Sequence, residues 1–274
     1  MKRLLRLGLV QLESLKDKYK NFKKALNIIE QYGDVEADII VFPEYFMYKL
    51  EDLSPEELYM ISEELGGDFV RKYIEIAKEY SSIVIGTLFE RTGVKPKVYN
   101  TVVMITPDEE VKIVYRKTHL FDAYGYRESD YMLPGTSLSS IENIKNVKVA
   151  FTVCFDIRFP EIYRIYALKG AEVVISPSAW YRGPLKEETL RFLAQSRAHE
   201  NTIYIVIVNQ TGKTFTGRSM IIDPTGTVLL DLGVREVYTE YTIDVDYIHE
   251  VRETLPVLRL RRPRLYRELV RESQ

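Results

Sequence analysis

The chain has 274 residues, with 38 basic and 40 acidic side chains giving a formal net charge of −2. That balance argues against a nucleic-acid-binding stripe or a broad membrane-binding surface, so the expected partners are small molecules and protein subunits. A single cysteine excludes an intrachain disulfide framework and a zinc site built from several thiolates, and it fits a reducing, cytoplasmic compartment.

Leu4–Gln11 reads as the first strand, because Met1–Val10 alternates Leu with Arg, Lys and Gly and lacks the continuous apolar segment of a signal peptide. No apolar run approaches the roughly 20 residues of a membrane helix. Asn21–Tyr32 carries Phe22, Ala25, Leu26 and Ile29 at the spacing of one buried helical face. Ala37–Phe42 returns as a strand whose pairing ends at Pro43. Pro55 after Ser54 opens a short helix, which Gly66-Gly67 separates from a second over Phe69–Tyr80. Strands follow at Ile83–Phe89, Val98–Ile105 and Val111–Arg116. Thr118–Ser140 has no clean period and holds Gly125, Pro134 and Gly135, so it reads as a long ordered loop, a feature uncommon unless functional.

Beyond that loop, a strand at Val147–Val153, a helix at Phe159–Lys169, a strand at Val173–Ser176 and a helix at Glu187–Asn201 alternate. Four more strands are expected at Ile203–Asn209, Ser219–Ile222, Val228–Leu232 and Tyr238–Asp244, with Asp223-Pro224-Thr225-Gly226 as a hairpin turn. This rhythm favours an α/β architecture, and the absence of repeats or linkers favours one domain over 1–274. Abundant charges with few Asn, Gln and Cys resemble the composition of heat-adapted proteins. In the tail over 255–274, Leu255, Val257, Leu258, Leu260, Leu265 and Tyr266 are interspersed with Arg259, Arg261, Arg262, Arg264 and Arg267. That mixture points to docking at a subunit interface rather than to a solvated end.

Three positions carry the chemistry. Cys154 lies where the strand Val147–Val153 ends ahead of a helix, and open α/β folds bind ligands at such carboxyl ends, close to free helix amides. Glu44 follows an apolar strand, where burial raises a carboxyl pKa and prepares it to accept a thiol proton. Lys117 follows Val111–Arg116, and a fixed ammonium there could favour a thiolate and stabilise an oxyanion. Each has a plainer reading as well: a small packing residue, a surface acid and a solvated cation.

Taken in chain order, Phe42-Pro43-Glu44, Tyr115-Arg116-Lys117-Thr118-His119-Leu120-Phe121-Asp122 and Cys154-Phe155-Asp156-Ile157-Arg158-Phe159-Pro160-Glu161 resemble the nitrilase superfamily of carbon–nitrogen hydrolases. The resemblance covers nearly the whole chain, from Leu4 to the Arg261–Tyr266 tail. It implies a four-layer α-β-β-α sandwich, two mixed sheets with helices outside, and a catalytic Glu44, Lys117 and Cys154. It also implies a second glutamate, best matched by Glu128, that positions Lys117 and substrate. The oxyanion would be held by Lys117 and the Phe155 backbone amide, with no metal and no cofactor. A homodimer or larger homo-oligomer is expected.

Within the superfamily the Lys117 and Cys154 segments look most like the omega-amidase and Nit-protein branch, which points to small amides rather than nitriles. Omega-amidases hydrolyse the terminal amide of keto-acid amides, and Nit proteins act on deaminated glutathione. Both substrates bear carboxylates, which makes Arg158 a candidate carboxylate anchor. Tyr45, Trp180 and Tyr181 are candidate pocket-lining residues. The sequence departs from the branch in its bulky Phe151-Thr152-Val153, where glycine-containing sequence is common, and in Ala123–Ser129. Alternative readings are an N-carbamoyl amidase or nitrilase of the same superfamily, a cysteine–histidine enzyme using His119 or His199, and a silent scaffold. Gly212-Lys213-Thr214 lacks the earlier glycine of a phosphate loop, since Ile207 stands there, and His119, His199 and His249 lack metal-ligand spacing.

Overall fold

Side chains along a strand alternate faces, and the first strand shows what that alternation builds. In β1 (Leu4–Gln11), Leu5, Leu7 and Leu9 enter one apolar core while Val10 enters another. The same division recurs in β2 (Ile39–Val41), where Ile39 and Val41 face the first core and Ile40 the second. It recurs again in β4 (Val98–Ile105), where Val102 and Met104 oppose Val103 and Ile105. A sheet with two apolar faces must be covered on both sides. The computed structural model describes residues 2–266 of the chain.

On one face the cover consists of α1 (Lys18–Glu30) and α3 (Asp68–Glu79), whose Phe22, Ala25, Phe69 and Tyr73 pack into the second core. The short α2 (Pro55–Ile61) begins with Pro55, and Ser54 and Glu57 form a reciprocal capping box. The first sheet runs β14-β1-β2-β3-β4-β5, with β3 (Ile83–Arg91), β5 (Val111–Arg116) and β14 (Val237–Asp244) completing it. Strands β1, β2 and β3 are parallel; β4 and β14 run against their neighbours. Two reversals, from β3 to β4 and from β4 to β5, return β5 to the direction of β2.

The other face packs on a second sheet of order β13-β12-β11-β10-β9-β8. Its strands are β8 (Glu142–Ile144), β9 (Val147–Phe151), β10 (Val173–Ser178), β11 (Tyr204–Asn209), β12 (Met220–Ile222) and β13 (Val228–Asp231). Here too the central three strands, β9, β10 and β11, are parallel. Leu5, Leu7 and Leu9 share one continuous core with Val149, Phe151 and Ile175. Helices α4 (Pro160–Leu168) and α5 (Lys186–Asn201) close the outside through Ile162, Tyr163, Leu190 and Ala194. The result is the expected four-layer α-β-β-α sandwich.

Several boundaries differ from the sequence reading. Helix α1 starts at Lys18 because the Asp17 side chain caps the amides of Tyr19 and Lys20. The strand expected over Ala37–Phe42 pairs only over Ile39–Val41, and β8 and α6 (Tyr247–Thr254) were not anticipated. The expected loop Thr118–Ser140 contains a small hairpin, β6 (Asp122–Ala123) with β7 (Tyr126–Arg127), followed by a 3-10 turn over Glu128–Asp130. Tyr124 and Gly125 make its two-residue turn with φ of 55° and 82°, the positive-φ pair that suits a strand twist. No helix among the described residues is long and apolar enough to cross a membrane.

Candidate active site

The carboxyl ends of β2, β5, β9 and β10 converge, because β5 shares the direction of β2 and the two sheets lie face to face. The chain leaves β2 through Phe42 and Pro43 and turns sharply at Tyr45, which has φ of 59°. Phe46 then anchors the turn in the outer core, with ring centroids 5.0 Å from Phe22 and 4.7 Å from Phe42. That anchor fixes Glu44 between the sheets. Its Oε1 accepts from Asn100 Nδ2 at 2.8 Å, and its Oε2 accepts from the Ala179 amide at 2.8 Å. Its backbone carbonyl accepts from Gln210 Nε2 at 2.8 Å.

Lys117 is held at the end of β5 by its own backbone: its amide donates to Asn100 O at 2.9 Å and its carbonyl accepts from Gly135 at 2.8 Å. A Cβ at position 135 would stand 2.2 Å from Arg116 O, so this close approach requires glycine. The Lys117 ammonium donates to Glu44 Oε1 at 2.9 Å and reaches Glu128 Oε1 at 3.0 Å and Oε2 at 2.8 Å. Glu128 is delivered by the β6–β7 hairpin. It also accepts from the Tyr45 hydroxyl and, at 2.6 Å, from the Phe121 amide.

Cys154 follows β9 and Val153 and adopts φ of 44°, a left-handed conformation that costs a non-glycine residue on the order of 1–3 kcal/mol. It opens a 3-10 turn over Cys154–Arg158. The Phe155 amide has no hydrogen-bond partner among the described residues. Cys154 keeps 8% of its surface exposed, while Glu44 and Lys117 keep 1% each, so the thiol is the reachable member of the group. All three line a narrow pocket of about 360 Å³ of empty space, together with Tyr45, Phe155, Arg158, Trp180 and Tyr181.

Ionisation in this group is mutual. Burial raises the Glu44 carboxyl above the usual range, against the opposing pull of Lys117 and with help from the Glu128 charge. Burial by itself would lower Lys117, but the Glu128 and Glu44 carboxylates outweigh it and hold the ammonium well above 10.5. Burial and the Glu44 charge push the Cys154 thiol up, against Lys117. The resting arrangement is therefore a protonated thiol beside a fixed cation and a carboxyl group unusually ready to take a proton.

The pocket gathers nearly every residue expected from the sequence. Glu128 is the exception: it stands behind Lys117 rather than on the pocket wall, where its contacts hold the lysine. Arg158 lies over the Trp180 ring at 4.7 Å and the Phe155 ring at 5.8 Å, and its buried Nε has no hydrogen-bond partner. His119 pairs with Asp156, its Nδ1 lying 2.8 Å from Oδ1, and stacks on Phe159 at 3.7 Å. It is not among the residues lining the pocket, which counts against the cysteine–histidine reading. Sequence reasoning missed Asn100, Phe121 and Lys186; the last lines the pocket with Nζ 3.4 Å from the Tyr124 ring centroid. None of these has a sequence signal, since Asn100 is brought in by strand pairing, Phe121 by the hairpin it leads into, and Lys186 by the start of α5.

A family model described as carbon–nitrogen hydrolase matches residues 6–253. The deaminated glutathione amidase of Bos taurus is 33% identical, with 96% of this chain and 84% of that protein aligned. The omega-amidase NIT2 of Xenopus tropicalis is 30% identical, with 95% and 96% aligned. Among solved structures, the C. elegans NitFhit protein superposes with a TM-score of 0.87 at 28% identity, covering 97% of this chain. This chain spans 66% of the length of that longer protein. Nit3 of Saccharomyces cerevisiae superposes with a TM-score of 0.80 at 28% identity, covering 93% of this chain and 95% of that one.

Proposed function

This chain belongs to the carbon–nitrogen hydrolase family, and on that premise we propose that it cleaves a small, carboxylate-bearing amide through a thioester on Cys154. The observation that carries the reading is the buried Lys117 ammonium, bonded to both Glu44 and Glu128, in a pocket whose accessible nucleophile is Cys154. Three charges buried at this depth are costly unless mutually satisfied, so the arrangement has a purpose beyond stability.

In the proposed reaction Glu44 takes the Cys154 proton as the sulfur attacks the amide carbon. Lys117 and the unpartnered Phe155 amide stabilise the oxyanion that forms. Glu44 returns the proton to the leaving nitrogen, ammonia departs, and a thioester remains. Water, deprotonated by Glu44, then attacks the thioester and releases the carboxylic acid with the thiol restored. Glu128 acts through Lys117, sharing with Glu44 the ammonium that bonds both. Arg158 is the proposed carboxylate anchor, supported by its unpartnered Nε on the pocket wall and by the bidentate geometry of guanidinium. Tyr45, Trp180 and Tyr181 shape the apolar walls. The names of the relatives, an omega-amidase and a deaminated glutathione amidase, support an amide over a nitrile or carbamoyl substrate.

We further propose that the protein works as a single catalytic domain within a homo-oligomer, in a cytoplasmic setting suited to its free thiol. Both sheets contribute to the site, which supports the single unit. Exposed Ile165 and Leu168 on α4, Phe192 on α5, and Leu260, Leu265 and Tyr266 on the tail support self-association. Tail residues 267–274, including Arg267, lie outside the described residues. Networks such as Arg3 with Glu172 and Asp246, and Lys49 with Glu13 and Glu51, support the heat adaptation read from composition.

The test is a screen of the purified protein against ω-amides of dicarboxylates, carbamoyl amino acids and nitriles with ammonia as readout, combined with mass spectrometry of a trapped intermediate. The expected result is turnover of ω-amides and an acyl adduct on Cys154. Turnover of carbamoyl compounds or nitriles alone would overturn the substrate reading, and full activity of Cys154→Ala would overturn the mechanism.

A further inference from the structure

Among the described residues, the segment that carries the nucleophile is tethered sparsely. The Thr152 amide makes the last bond of this strand to its neighbour, donating to Ile175 O at 3.1 Å. The amides of Cys154 and Phe155 have no partner among the described residues. Between them and the sheet, the Val153 amide donates to Asp156 Oδ2 at 2.9 Å, and the Asp156 amide donates back to Val153 O at 3.0 Å. The left-handed Cys154 lies inside that small ring.

Asp156 is fully buried, and its remaining acceptor positions reach the other sheet. Tyr115 OH donates to Oδ2 at 2.9 Å, while Oδ1 accepts the His119 amide at 3.2 Å and lies 2.8 Å from His119 Nδ1 and 3.4 Å from Thr118 Oγ1. Tyr115 and Thr118 also meet each other through their hydroxyls at 2.6 Å. The carboxylate thus holds residues on both sides of Lys117 and, on its other flank, the residue that precedes Cys154. It does not line the pocket.

Resting on the reading of Cys154 as nucleophile, we propose that Asp156 is a positioning residue that fixes the spacing between Cys154 and Lys117 by bracing the ends of β5 and β9 against each other. A carboxylate suits the place because both oxygens face donors. In Asp156→Asn the amide nitrogen must face either the Val153 N–H or the His119 N–H, leaving one buried backbone donor without an acceptor on either choice. The brace would then open on one flank and release the strained Cys154 backbone.

The sole thiol of the chain gives a readout that needs no substrate. In folded Asp156→Asn, checked by circular dichroism and thermal melting, alkylation of Cys154 by iodoacetamide should slow roughly 10- to 100-fold, and kcat should fall by a similar factor with KM little changed. Single Tyr115→Phe and His119→Ala variants, each cutting one side-chain tether, should lose less than the Asn variant, and the double variant should approach it. Should Asp156→Asn not fold, that double variant reads the same brace, because it leaves the Val153 bond intact. Folded Asp156→Asn, or in its place the double variant, with kcat and alkylation within about threefold of the parent overturns the proposal. So does a loss confined to KM with unchanged thiol reactivity. A fully active Cys154→Ala would instead remove the nucleophile reading, an outcome separate from the alkylation comparison.

Discussion

Glu128→Gln tests the charge arrangement most directly, because it changes one oxygen to nitrogen at a fully buried position. The two carboxylate oxygens receive Lys117 at 3.0 and 2.8 Å, Phe121 N at 2.6 Å and the Tyr45 hydroxyl. A glutamine amide turned toward Phe121 would set N–H against N–H. Turned toward Tyr45 it meets a hydroxyl that can rotate and accept, so that rotamer is preferred. Lys117 then loses one charge-assisted contact and the second of its two counter-charges. One such contact in a buried setting is worth about 1.5–3 kcal/mol, and repulsion between the new NH2 and the ammonium adds to it, for a total of about 2–4 kcal/mol. Against a typical domain stability of about 5–15 kcal/mol the variant should stay folded. The ammonium, already bonded to Glu44, would be left to that carboxylate alone and drawn closer to it, pulling the carboxyl back toward its ordinary value and weakening it as a base. A shift of about 1 Å in such a group can cost on the order of 100-fold in rate. Initial-rate ammonia release should therefore show kcat reduced about 100-fold with KM nearly unchanged, and urea unfolding should show a lower midpoint at constant slope. A folded Glu128→Gln enzyme with parental kcat would refute the view that Glu128 governs the position of Lys117.

Glu44→Gln and Lys117→Met should each reduce kcat by more than about 100-fold, whereas His119→Ala should cost less than about tenfold; the reverse ranking would favour a cysteine–histidine mechanism. Because burial raises the Glu44 carboxyl and the base must be ionised, kcat/KM should fall as pH drops through that raised value. A pH–rate profile whose acid limb sits at or below the ordinary 4.5 would contradict the assignment. Arg158→Met should raise KM for carboxylate-bearing amides by roughly 10- to 100-fold and leave uncharged amides nearly unaffected, and equal effects on both would remove its anchoring role. Deleting 255–274 should weaken self-association in sedimentation experiments; an unchanged oligomer, or a parent protein that is monomeric, would refute a tail-mediated interface.

The linear sequence determined most of the elements and which residue types stand at the ends of β2, β5 and β9. Short apolar, β-branched runs bounded by turn residues placed β1, β4 and β5, since a strand covered on both faces reads as a near-continuous apolar run. Glu44, Lys117 and Cys154 each follow an apolar strand, but that placement left plainer readings open, and it was the resemblance of three ordered motifs to a known superfamily that singled them out. The hairpin carrying Glu128 was not legible, for its strands are two residues long and too short to show a period. Nor were the contacts that Asn100 makes within the first sheet, or those that Ala179, Gln210 and Asp156 make between the sheets, since their sequence separations, such as 135 between Glu44 and Ala179, are encoded by no local pattern. The charges themselves were a tertiary decision. Sequence supplied two acids and a lysine, but only the face-to-face closing of two sheets removes the water around them; that desolvation raises the Glu44 carboxyl, while the Glu128 and Glu44 carboxylates brought against Lys117 outweigh its own desolvation and hold it charged.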